Sequence, residues 1–390
     1  MSSRRLTPAS ARNRRSFPNP TPPSAFSFCG SSWRSRPSNS GERPGPDGNR
    51  RRTAADRRLS SLWSVLTHGL QAAFIRFQLC RVRRKTVIPF AEALKSGRIL
   101  IFDGATGTQL SARCGASGPL TNLEYPDVVK AVHADYRAAG AEVVLTNTLT
   151  ANRILLEHAG LADKFEAINT IGARLCREAV GKECYVAGDM CSTAQFLEPL
   201  GDYTEQQFAD NAAEQARLLA DNEVDLILIE TMTDVRETAI AVRAAKEATG
   251  LPVVASLAFD AVADGFRTMM GHTPEHAVKE LVKAGADAVG CNCGTIDPLE
   301  MSLVIADMRS HTPPSSSLTK GRMDGVALIA MPNAGKPELT SGEVVFRLSP
   351  EEFAQGVLKC IEAGATLVGG CCGTTPDHIR ALAQAVGGRG

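Results

Sequence analysis

Long apolar runs, aromatic residues and, over the first ninety positions, acids are what this 390-residue sequence has least of. No stretch reaches the ~18 uninterrupted apolar residues of a membrane-spanning helix. The nearest approach in the basic region, Leu59–Leu79, is broken by His68, Gln71, Arg76 and Gln78. No membrane role is expected. Both tryptophans, Trp33 and Trp63, fall before residue 90, and the remainder has only four tyrosines, too few to favour an aromatic cage for a quaternary ammonium ligand. No Ser-His-Asp order, no P-loop and no glycine-rich nucleotide turn after the first strand is present.

The scarcity of acids at the start hides under a bland total charge of +1. Residues 1–90 carry 18 Lys and Arg, 17 of them Arg, against only Glu42, Asp47 and Asp56, a net of +15. Residues 91–390 carry 25 bases against 39 acids, a net of −14. The chain therefore reads as a basic extension, 1–90, and an acidic body, 91–390. The body does not suit general nucleic-acid binding, which needs a basic face against phosphate. The extension is rich in Ser, Pro, Arg, Asn and Gly and reads as disordered. Three readings compete for it: an organellar transit segment, a basic tail in which Leu59–Leu79 forms an amphipathic surface helix, or an over-extended start, since no Met lies between Met1 and Met190.

Eleven cysteines are present, nine of them in the body. Their spacing is not that of a small disulfide scaffold, so a reducing, cytoplasmic setting is expected, with organellar import if the extension is a transit segment. From residue 97 a short apolar, β-branched run alternates with a helical segment. The strand candidates are Arg98–Ala105, Ala141–Thr148, Glu183–Met190, Asp225–Met232, Pro252–Phe259, Ala286–Cys293, Val326–Ala334 and Thr366–Cys372. The clearest helices are Pro126–Ala139, Thr204–Asn222, Val235–Thr249, Pro274–Ala284, Pro298–His311, Pro350–Ala363 and Pro376–Ala385. Four begin with a capping residue and then Pro, and Gly140, Gly250, Gly285 and Gly364 mark ends. Continuous apolar strands imply burial on both faces, as in a parallel sheet. Eight such units predict an α/β fold of the (β/α)8 TIM-barrel type, with a doubly wound sheet as the alternative. Pro313–Gly325 reads as a loop insertion.

Function in such a barrel gathers at the C-terminal ends of the strands. There the sixth strand ends in Cys293 and the eighth in Cys371-Cys372. Three thiolates at one rim can hold a tetrahedral metal ion and leave a position open, as catalytic zinc is held, and soft thiolates select zinc over magnesium or calcium. Cys291 is read as packing, on the same side as Cys293 and one layer deeper; Cys114, Cys176, Cys184, Cys191 and Cys360 are read as buried core thiols. Asp103 and Glu230 each end an apolar strand, where an unpaired charge is costly. They suit a substrate ammonium group, or else a salt bridge to a neighbouring strand end. Gly104, Ala105 and the residues up to Thr108 offer backbone N–H groups to a carboxylate or phosphate. His133, His158, His276, His311 and His378 fall on helices, as solvated or capping groups. Lys336, after the seventh strand, is a candidate Schiff-base lysine.

At these residues the sequence resembles the homocysteine S-methyltransferase family. The resemblance rests on Asp103-Gly104-Ala105-Thr106-Gly107-Thr108, Glu230-Thr231-Met232, Gly290-Cys291-Asn292-Cys293, Pro332-Asn333-Ala334-Gly335 and Gly369-Gly370-Cys371-Cys372-Gly373. It implies a (β/α)8 barrel, Zn2+ on Cys293, Cys371 and Cys372, and L-homocysteine as methyl acceptor. It also implies Asp103 and Glu230 near the homocysteine amino group, and Asn333 as a zinc ligand when substrate is absent.

Members of that family take their methyl group from a methyl-corrinoid or methylfolate partner, from S-methylmethionine or S-adenosylmethionine, or from betaine. The shortage of aromatics disfavours betaine. Leu197-Glu198-Pro199-Leu200-Gly201 and Pro332-Asn333-Ala334-Gly335 look most like the homocysteine module of cobalamin-dependent methionine synthases. No folate or cobalamin module follows before Gly390, so the expected donor is a separate methyl-corrinoid protein or a free sulfonium. Two other readings stay open: a zinc-binding or corrinoid-docking barrel without catalysis, and a Schiff-base lyase using Lys336.

Overall fold

The computed structural model describes residues 87–312, 326–340 and 342–388. The basic extension up to residue 86, with Leu59–Leu79, and the Pro313–Gly325 insertion lie outside the described residues. Each of the eight predicted apolar runs holds one strand: β1 (Leu100–Ile101), β2 (Val143–Leu145), β3 (Tyr185–Met190), β4 (Leu226–Met232), β5 (Val253–Leu257), β6 (Ala288–Asn292), β7 (Ala327–Met331) and β8 (Leu367–Val368). All pair in parallel, in the order β1-β8-β7-β6-β5-β4-β3-β2. The ring closes between the ends of this order: Phe102 bridges Val143, and Asp103 N donates to Val143 O at 3.0 Å. A closed ring in chain order is a (β/α)8 barrel and eliminates the doubly wound alternative.

Alternation along each strand sorts the two faces. On β4, Leu226 and Leu228 enter the barrel interior with Ala187, Val254 and Ile329. Ile227 and Ile229 face the helix layer with Val242, Leu219 and Val253. Each such Leu, Ile or Val side chain, fully buried, contributes roughly 1.5–3 kcal/mol, which is why these runs carry no polar face. The interior is tight enough to require glycine at one point. A Cβ on Gly290 of β6 would lie 1.9 Å from Ile329 O of β7.

Ten of the described helices frame the barrel. Helix α1 (Phe90–Lys95) closes its floor: Phe90 and Ala93 join the interior cluster, Phe90 stacks edge-on with Tyr185 at 5.2 Å, and Tyr185 OH donates to Ile88 O at 2.6 Å. Helix α2 (Thr106–Cys114) sits on the opposite rim. The outer layer is α3 (Pro126–Ala139), α4 (Phe165–Val180), α5 (Glu205–Asp221), α6 (Val235–Thr249), α7 (Pro274–Ala284), α8 (Pro298–His311), α9 (Pro350–Glu362) and α10 (Pro376–Gly387); two shorter helices, Thr121–Glu124 and Arg153–His158, lie between them. The predicted starts hold for a local reason. At α8, Asp297 Oδ1 accepts from Leu299 N and Glu300 N at 2.9 Å, and Glu300 Oε2 accepts from Asp297 N at 3.0 Å, so the exposed donors of the first turn are satisfied. None of the described helices is long and apolar enough to cross a membrane.

Two side-chain expectations fail. Cys176, Cys184 and Cys360 are buried, but Cys114 and Cys191 are only partly so, because one ends a rim helix and the other begins a rim loop. His133 is neither solvated nor capping. It lies fully buried on α3 with no partner for either ring nitrogen, and desolvation lowers its pKa to about 4. His378 does cap α10, its Nδ1 accepting from Thr375 N at 3.2 Å.

Candidate active site

The strand ends divide the barrel mouth into two arcs. One, over β6 to β8, is built from sulfur. Cys293 follows β6 directly, and the chain turns there into the left-handed region, φ 55° at Cys293 and 73° at Gly294. An L-residue in that region costs about 1–3 kcal/mol and persists where its surroundings hold it. Here Cys293 N donates to Met331 O at 3.2 Å and Asn333 Nδ2 donates to Gly294 O at 2.9 Å. The turn swings Cys293 into the mouth. Cys291 does not share its side as expected: it is buried in the helix layer with Cys360, and Asn292 takes the inward position. Cys371 and Cys372 follow β8 and are clamped to the β7 end, Cys371 N donating to Pro332 O and Ala334 N to Cys372 O, both at 2.9 Å.

The sulfurs of Cys293, Cys371 and Cys372 all lie within 4.8 Å of one another, and those of Cys293 and Cys372 are 3.8 Å apart. Among the described residues this is the single group of His, Cys, Asp and Glu side chains able to hold a metal ion. The cysteines are free thiols. Hydrogen bonds from Cys371 and Cys372 hold the Cys293 thiol well below its ordinary pKa, while sharing with Cys293 raises Cys371 and pushes Cys372 up to about 12.

The other arc, over β1 to β4, is built from carboxyl groups. Asp103 Oδ2 accepts from Leu145 N at 3.0 Å. Asp103 and Glu230 are both buried. Burial raises Asp103 well above the carboxylate range and raises Glu230 to about 8, with the Cys293 thiolate adding to the latter. No cation faces either group among the described residues, so the salt-bridge alternative does not hold. A third carboxyl, not singled out from sequence, joins them: Asp189 near the end of β3, buried and raised by desolvation and then by Glu230 and Asp103.

Asn292, a second residue that sequence reasoning passed over, links the arcs. Its Oδ1 accepts from Thr231 N at 2.8 Å and from the Ser256 hydroxyl. Its Nδ2 donates to Thr231 Oγ1 at 2.7 Å and lies 3.7 Å from Cys371 Sγ. One amide thus fixes the backbone beside Glu230 and one of the three thiols. The Gly-x-Asn-Cys block was the available signal.

The remaining predicted residues separate. Gly104 is where the chain beyond β1 passes under Thr374: a Cβ there would meet Thr374 Oγ1 at 2.5 Å. Ala105 N already donates to Thr374 Oγ1 at 3.0 Å, so the open N–H groups are those of the first turn of α2, Thr106 to Thr108. Asn333 is buried beside Cys293 with its Oδ1 unpartnered. Lys336 does not suit a Schiff base. Its Nζ is paired with Glu300 Oε1 at 2.6 Å on the exposed rim, which raises its pKa, whereas a nucleophilic lysine needs a lowered one.

The sequence profile of the homocysteine S-methyltransferase family matches residues 100–386. The chain belongs to that family. Among its relatives, methionine synthase of Mycobacterium tuberculosis is 31% identical over 312 residues, 75% of this chain and 25% of that protein. Betaine–homocysteine S-methyltransferase 1 of Danio rerio is 30% identical over 305 residues, 75% of this chain and 74% of that protein. The chain thus spans about a quarter of the length of the methionine synthases it matches. In fold it resembles the metallated homocysteine methyltransferase MmuM of Escherichia coli, with a TM-score of 0.58 at 23% identity, covering 73% of this chain and 96% of that one.

Proposed function

We propose that this barrel transfers a methyl group to the sulfur of L-homocysteine, forming methionine, with zinc held by Cys293, Cys371 and Cys372. The observation that carries the reading is the pairing, across one mouth, of three convergent thiols with buried carboxyl groups that lack a cation. The donor set fits the ion. Zinc–sulfur bonds of ~2.3 Å at tetrahedral angles set sulfurs about 3.8 Å apart, and Cys293 and Cys372 already stand at 3.8 Å. The unpartnered Asn333 Oδ1 fits a further oxygen ligand when substrate is absent. A binding-only barrel would want a fourth permanent ligand of its own from Cys, His or carboxylate, and none joins the three among the described residues.

Each part of the substrate then has a partner. Asp103 and Glu230 receive the ammonium group and lose their protons to do so. The first turn of α2 receives the carboxylate through open N–H groups at a helix N-terminus. The sulfur reaches the thiol arc. Zinc, when bound, supplies acidity, so that a thiol otherwise protonated at neutral pH is present as the nucleophilic thiolate. No general base is required of the chain. The residues contribute alignment.

The donor enters from the mouth, where Phe196, Leu200, Met269 and Leu339 stand exposed on the loops after β3, β5 and β7. These exposed apolar side chains favour a methyl-corrinoid or methylfolate carried by a partner protein over free S-methylmethionine or S-adenosylmethionine. The test is purified zinc-loaded protein with L-homocysteine, offered each donor in turn and assayed for methionine. Methionine from a corrinoid carrier is the expected result; no methionine from any donor overturns the reading.

A further inference from the structure

We infer that Asp189 is the third carboxyl group of the ammonium cradle and gives the site its preference for a free primary amine. The inference rests on the homocysteine reading above. Asp189 is only 5% exposed, and its Oδ1 is buried with no hydrogen-bond partner. Its strand sets its direction. Ala187 and Tyr185, two and four residues before it on β3, enter the barrel interior, so Asp189 points inward at the mouth end. On the neighbouring β4, Leu228 pairs with Asp189 and is itself an interior residue; the next inward residue toward the mouth is Glu230. On the other side, Asp103 is held at Leu145 of β2, and Leu145 pairs with Ala187. The three carboxyl groups therefore line one stretch of wall.

The backbone of Asp189 is anchored from the segment that follows β2. Its N–H donates to Thr146 Oγ1 at 3.0 Å, and its carbonyl accepts from Thr148 Oγ1 at 2.8 Å. The two hydroxyls are themselves 2.6 Å apart. So the main chain is fully engaged and the Met190 N–H meets the carboxyl group, while Oδ1 stays unsatisfied, although a buried polar atom normally finds a partner. A primary ammonium has three N–H donors, as lysine does. Asp103 has already given Oδ2 to Leu145 N. Three carboxyl groups provide one acceptor for each N–H. An N-acylated amine brings one N–H and no charge, and would leave two of these acids facing each other.

The test is calorimetric binding of two thiols to zinc-loaded protein: L-homocysteine, and 4-mercaptobutanoate, which lacks only the amino group. Wild type should prefer homocysteine. Asp189→Asn should weaken homocysteine about 10-fold or more, the scale of one hydrogen bond to a charged group, and change 4-mercaptobutanoate less than about twofold. Asp189→Ser should do the same, and serves if the Asn variant does not fold. Equal weakening of both thiols would mean a structural role and would overturn the inference. An unchanged preference in the variants overturns it as well, while leaving the Asp103 and Glu230 cradle standing. If wild type itself shows no preference, the ammonium reading and this inference fall together.

Discussion

The two arcs of the mouth solve opposite problems with the same architectural device. Over β6 to β8, soft thiols are brought together so that a cation is wanted at their centre; over β1 to β4, hard carboxyl groups are brought together with no cation among the described residues to neutralise them. The sulfur arc gains a ligand by being crowded. The carboxyl arc is penalised by burial, which raises the pKa of each of its acids. Both sit on strand ends, where a barrel carries polar groups at the edge of an apolar wall. The lesson is that a charge placed at such an edge says little by itself; what it faces across the mouth decides its use.

The comparison breaks most completely at sulfur. Cys371→Ala should empty the site of zinc, measured by elemental analysis, and reduce methyl transfer by more than about 100-fold, since changes in outer partners alone cost about 10–100-fold. A variant with full zinc and full activity would end the zinc reading. On the carboxyl side, Glu230→Gln should lower homocysteine affinity about 100-fold with zinc retained. It should also stabilise the substrate-free protein, with a clear direction in pH. The Glu230 pKa is raised to about 8 from 4.5, so its stabilising contribution is whole below about pH 4.5 and is lost as pH rises through about 8. Unfolding midpoints of Glu230→Gln should exceed wild type at pH 8.5 and match it near pH 4.

Smaller effects sharpen the division. Asn292→Ala should act on both arcs at once, lowering zinc affinity about 10-fold and stability by about 1–3 kcal/mol, read by zinc competition and chemical unfolding. A loss confined to one arc would show that the amide is not the joint. The smallest effect on the site belongs to His133 on α3, outside the mouth. Its folded pKa of about 4 lies below the ordinary 6.5, so the protein should lose on the order of 3 kcal/mol as pH falls from 6.5 toward 4. His133→Leu should flatten that slope and leave methyl transfer unchanged.

What could be read in the sequence follows from where information is local. Helix starts such as Pro298 and Pro350 were legible because a cap and a proline act within one turn. The eight strands and the convergence of Cys293, Cys371 and Cys372 at one rim were legible because the barrel gives strand ends a common meaning. Facing was not. A strand buried on both sides is apolar at every position, so its sequence does not say which residues turn inward. That is why Asp189 was passed over beside Glu230. Period two puts Cys291 on the side of Cys293, but the alternation does not continue through Cys293, whose φ is positive. His133 was misread for a related reason: helical spacing marks a face, but only packing shows that the face has no water.

Around the mouth nearly every functional group can gain or lose a proton, and Asn292 cannot. Its oxygen accepts from Thr231 and Ser256 while its nitrogen donates to Thr231 and approaches Cys371. An aspartate would lack the donor half, and a histidine would change its half with acidity. An amide does both at every pH the fold survives, so the spacing between sulfur and carboxyl is kept by a part of the rim that is blind to protons.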